Sequence, residues 1–114
     1  MQKIEIRILP EADEFLYSLP MILVEEGYKS SYSSAEKIVD EILDFISQLP
    51  IVPHYTLPPS VEYHFSCYGE DLYYSFFKRK KSPKTTWYVF FVKSGNKILV
   101  KHITNNWIEG QYIR

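Results

Sequence analysis

Two short stretches hold the residue types that could do chemistry, KRKKSPK (78–84) and KHITNNW (101–107). The second follows a run of apolar and basic residues and sets His102 near a threonine, two asparagines and a tryptophan. An imidazole titrates near neutral pH, so it can take up a proton and return it. The first gathers Lys78, Arg79, Lys80, Lys81 and Lys84 at what reads as the tip of a hairpin. Such a cluster neutralises phosphates without regard to sequence. Lys93, Lys97 and Lys101 extend the charge on to neighbouring strands. Tyr73, Tyr74, Phe77, Trp87 and Tyr88 are interleaved with it, as rings on which a base can stack. A surface for RNA or another polyanion is one reading, with Arg79 as the anion clamp and His102 as general acid or base. The plainer reading is a solvated turn and a histidine at a sheet end with its ring nitrogens hydrogen-bonded.

Other chemistries find little footing. There is no Gly-rich phosphate loop and no HExxH or GxSxG pattern. His54, His64 and His102 are far apart in sequence, and no metal or cofactor is expected. The single cysteine, Cys67, excludes an intramolecular disulfide and every zinc motif built on paired cysteines. A reducing, cytoplasmic setting fits. MQKIEIRILPEADEF has acids early and no long apolar run, so it does not read as a signal peptide. No window of 18 apolar residues is present, so no membrane span is expected.

The net charge of −1 conceals an asymmetry. Residues 1–71 carry 13 acidic and 4 basic side chains, a net −9; residues 72–114 carry 1 acidic and 9 basic, a net +8. Either a basic face meets an acidic partner, or the halves neutralise each other across the fold.

The elements that must position these groups follow from periodicity. KIEIRI (3–8) alternates Ile4, Ile6 and Ile8 with charged residues, as a strand with one buried face does. Pro10, with Glu11, Asp13 and Glu14, begins a short helix that Pro20 interrupts; a second helical piece ends at Gly27. Residues 33–50 form the clearest helix. Ser33 and Glu36 read as a capping box, and Ala35, Ile38, Val39, Ile42, Leu43, Ile46 and Leu49 form one stripe. PIVPHYTLPP (50–59) reads as an extended connector. Four strands are then expected, at 61–68, 71–79, 85–93 and 97–104, joined by short turns into an antiparallel meander. Helices early and strands late make a single α+β domain over 1–114. The first strand joins a mainly antiparallel, twisted sheet of four to five strands, and the helices cover one of its faces.

This layout resembles the RelE/ParE superfamily of type II toxin–antitoxin toxins. The resemblance runs through the first strand and LPEADEFLYSLP, the amphipathic helix ending in ISQLP, and DLYYSFFKRKK…TTWYVFFVKSGNKILVKHITNN. It covers nearly the whole chain. It implies a compact toxin neutralised by an antitoxin that wraps around it. RelE-like members cleave mRNA in the ribosome without a metal, by 2′-hydroxyl attack; ParE-like members inhibit DNA gyrase instead. Carried over by residue, it matches Arg79 and His102 to a basic residue and a histidine of the family. The expected catalytic set is His102, Arg79 and Tyr88, and the basic cluster and its rings supply the expected RNA-binding residues Lys78, Lys80, Lys81, Lys84, Trp87 and Lys101. The RelE-like activity is the favoured expectation. The alternatives are a ParE-like toxin or a relative that acts only by binding protein. Tyr88 stands where many members carry an arginine after an aromatic residue. Asn105 and Asn106 stand where many carry paired lysines. Tyr112 is a further ring or proton donor in the C-terminal stretch.

Overall fold

The alternation of Ile6 and Ile8 with Glu5 and Arg7 does produce a strand, β1 (Glu5–Ile8). The computed structural model describes residues 3–27, 31–79 and 82–106. Lys80, Lys81 and Tyr112 lie outside the described residues. After β1 come α1 (Pro10–Glu25), α2 (Tyr32–Ser47), a two-residue strand β2 (Tyr55–Thr56) and α3 (Pro59–Phe65). A 3₁₀ turn over Ser66–Tyr68 follows, then β3 (Tyr73–Arg79), β4 (Ser82–Ser94) and β5 (Lys97–Asn105).

The sheet order is β1-β5-β4-β3-β2. β3, β4 and β5 form three of the four strands expected in the meander, and β2 adds antiparallel to β3. β1 lies parallel to β5, pairing Glu5 with Lys97 and Ile8 with Val100. The fold is therefore α+β with a mixed, open, five-stranded sheet.

One face of the sheet carries the main core. Ala12, Leu16, Leu19 and Leu23 of α1 and Ala35, Ile38, Ile42 and Ile46 of α2 pack on Trp87, Val89, Phe91, Ile98, Val100 and Ile103. We call this the helix face. Residues that alternate with these along the strands form the second face.

Four local expectations are corrected. Pro20 does not split the first helix: α1 runs through it, and Pro20 itself is buried beside Leu16, Leu19 and Leu23. Loss of one backbone donor is offset by packing on a stripe that continues on both sides. The cap of α2 is Ser31, not Ser33: its Oγ accepts from Ser34 N–H at 3.2 Å. β2 falls inside the proline-rich connector. Residues 61–68, expected as a strand, form α3 and the 3₁₀ turn. Pro59 opens α3 at a position where its missing N–H costs nothing. Val61, Phe65 and Tyr68 then recur at i, i+4 and i+7, a helical period hidden in a composition rich in strand formers. Among the described residues no helix is long and apolar enough to cross a membrane.

Candidate functional site

A β-bulge decides where His102 points. Phe91 pairs with Val100, but the next residue back, Phe90, pairs with His102. Lys101 is therefore an extra residue opposite a single step of β4. Val100 and Ile103 keep their places in the helix-face core. His102, paired with Phe90, turns to the second face and lies against its rings. Lys101 turns there as well: a Cβ built on Gly69 would sit 3.9 Å from Lys101 Cε and 3.8 Å from Val92 Cγ1.

The second face is lined with rings. Tyr55, Tyr74, Phe76 and Tyr88 form a contiguous set, with centroids 5.4 Å apart for Tyr55 and Phe76 and 6.0 Å for Phe76 and Tyr88. Tyr55 and Phe76 are 41 % and 42 % exposed, so these rings are open to a partner. Lys78 is exposed and continues the same face by alternation from Phe76. The other end of the face is covered. Phe65, fully buried, stacks on Phe90 at 4.6 Å, and Tyr68 stacks on His102 at 4.0 Å with the planes 12° apart.

The expected site residues divide between the two faces. His102, Tyr88, Lys78 and Lys101 share the second face. Arg79 does not: it is on the helix face, 6 % exposed, with Nε 2.7 Å from Glu41 Oε2 and Nη2 2.6 Å from the same oxygen. It cannot serve with His102 as an anion clamp, because the sheet stands between them. Trp87 is 1 % exposed in the helix-face core, so no base can stack on it. Lys84 is exposed at the start of β4. Tyr55, Phe65, Phe76 and Tyr68 were not expected at the site. Their signal in the sequence was the helical spacing of 61, 65 and 68 and the parity Phe76 shares with Tyr74. Among the described residues no group of three or more His, Cys, Asp or Glu is placed to hold a metal.

No protein-family model, curated protein or solved structure matches this chain.

Burial pushes the Tyr88 phenol above its ordinary value near 10, and the neighbouring Tyr74 adds to the shift. Tyr88 thus keeps its proton at neutral pH and offers a hydrogen-bond donor, not a base. The shift also carries a stability consequence. The group favours its neutral form in the folded chain, so its contribution is complete below pH 10 and is lost as pH rises through the folded value. Urea unfolding across pH 9 to 11 is expected to show a decline in stability that Tyr88→Phe makes shallower; an unchanged decline would contradict the shift.

Asn106 is a clamp between strands. Its Oδ1 accepts from Thr86 N–H at 2.8 Å and its Nδ2 donates to Lys84 O at 3.0 Å. It ties the end of β5 to β4 on both sides of the amide, and Thr86 is buried. Asn106→Ala is expected to cost about 1–2 kcal/mol in urea unfolding, since a buried N–H loses its acceptor. Asn106→Lys, which supplies no acceptor, is expected to cost as much.

Proposed function

We propose that this protein is the toxin component of a type II toxin–antitoxin system, of the RelE/ParE kind, and that its second sheet face receives RNA. The toxin class is supported by the resemblance and by the order of elements: a first strand, a helical pair on one face, and a meander whose last strand takes the first beside it. The observation that carries the RNA reading is the gathering of Tyr88, His102, Lys78 and Lys101 on the face that exposes Tyr55 and Phe76. Rings there stack bases, and the ammonium groups offset phosphate charge. In a 2′-hydroxyl attack the oxygen bonds to the adjacent phosphorus and the 5′-oxygen leaves. His102 takes the proton from the first and a proton is returned to the second. Tyr88, still protonated, donates to a phosphate oxygen. The test is purified protein added to translating ribosomes: mRNA is cut, and His102→Ala stops the cutting. Intact mRNA with the wild type rules out cleavage.

A second reading is favoured by one observation, the withdrawal of Arg79 to the other side of the sheet. A toxin acting only by contact needs no clamp. In that case His102→Ala leaves growth inhibition intact, while Phe76→Ala on the open rings weakens it.

A further inference from the structure

The open part of the second face ends where the segment Pro59–Tyr68 crosses it. This segment covers the two residues that the bulge turns to that face. Tyr68 lies flat on the His102 ring, and Gly69 follows against the Lys101 stem. Its anchor is Phe65, stacked on Phe90. Its outer side meets solvent: Tyr63 is 89 % exposed, and His64 and Cys67 are exposed.

The two ends of the segment differ: the first is stiffened by prolines and the second is an unusual turn. Pro58 and Pro59 lead into it. Behind it stand Gly69 at φ +138° and Asp71 at φ +54°, a left-handed value that a non-glycine residue rarely takes. α3 has only seven residues, too few to hold its shape alone in water. The hydrogen bonds from Val61 and Glu62 N–H to Pro58 O and from Gly69 N–H to Ser66 O are local and join the segment to the residues that flank it. Tyr68 meets His102 face to face, and a ring contact can be exchanged for another ring, while Phe65 is held in the buried cluster with Leu72 and Phe90.

We propose that the segment is an autoinhibitory cover. Tyr68 occupies the place on His102 that a base of bound RNA takes, and binding requires Tyr68 to leave. The identity of the ligand rests on the RNA reading above; the shielding of His102 does not.

Three proteins decide it: wild type, Tyr68→Ala and Tyr68→Phe, compared first by thermal unfolding. Diethyl pyrocarbonate modification of His102, resolved by site with the exposed His64 as reference, is expected to be several-fold faster in Tyr68→Ala and unchanged in Tyr68→Phe. A single-stranded RNA ten nucleotides long is expected to bind Tyr68→Ala about 2- to 10-fold more tightly, the worth of one ring stack. Equal modification rates in all three proteins overturn the cover. Faster modification with no RNA bound by any protein supports the cover and overturns the RNA reading. Equal RNA binding by all three, with His102 equally protected, overturns the cover and leaves the RNA reading standing. Should Tyr68→Ala unfold early, the wild type answers alone. The ring-current shift that Tyr68 places on the His102 ring protons is expected to vanish when the RNA binds, and its persistence overturns the proposal.

Discussion

Trp87→Ala is expected to lower the stability of the protein by about 3–5 kcal/mol, a large share of the roughly 5–15 kcal/mol that holds an ordinary domain folded. Trp87 is 1 % exposed and belongs to the core that the two long helices make with β4 and β5. Removing the indole leaves a cavity in the middle of that layer, and the surrounding strands can close it only in part. The contrast with Trp87→Phe makes the prediction specific. Among the described residues the Trp87 Nε1 is buried without a hydrogen-bond partner. Phenylalanine keeps most of the ring and removes a donor that gains nothing from burial, so its cost is expected to stay below about 2 kcal/mol. Urea unfolding followed by far-ultraviolet circular dichroism measures both. If Trp87→Ala folds as well as the wild type and only RNA binding falls, the indole is a surface ring after all.

The second large effect is expected at Glu41. Its carboxylate holds a guanidinium that is almost wholly withdrawn from water. Glu41→Ala strands that charge and is expected to cost about 3 kcal/mol. Arg79→Met keeps the packing of the long stem and leaves behind a carboxylate that is 42 % exposed, which water can solvate. Its cost is expected to be about 1 kcal/mol. The double variant Glu41→Ala with Arg79→Met is then expected to be more stable than Glu41→Ala alone. Chemical denaturation of the four proteins gives the coupling directly. A double variant less stable than Glu41→Ala would mean that Arg79 is held by something other than its carboxylate. If Arg79→Met keeps its fold yet abolishes the proposed mRNA cleavage, the assignment of Arg79 to a structural pair fails.

The unequal fate of Arg79 and His102 shows how much could be read from the residues. The helix stripe of α2 is written in its spacing, and so is the meander, because apolar periods and turn residues are local signals. Strand parity also places Arg79 correctly, with Phe77, Ser75 and Tyr73. The same rule puts His102 with Ile98 and Val100, on the helix face beside Arg79. One surplus residue reverses that result, and nothing in GNKILVKHITN marks where the bulge falls. A bulge is settled by how two strands compete for partners, which is tertiary information. The cover over His102 was hidden for another reason. VEYHFSCY is rich in residues that favour strands, and the helical spacing of Val61, Phe65 and Tyr68 within it is short; burial of Phe65 against Phe90 and Leu72 supports the helical arrangement.

The pairing of β1 with β5 joins the first described strand to the last. A ribosome making this protein finishes Ile8 long before it begins Lys97. At 5–20 residues per second the gap is about 4–18 s. For that interval the first strand has no partner, and the apolar stripes of both long helices have no sheet to lie on. The newborn chain is then sticky and unfinished, and whatever activity it has must wait until β5 has been made and has taken β1 as its neighbour.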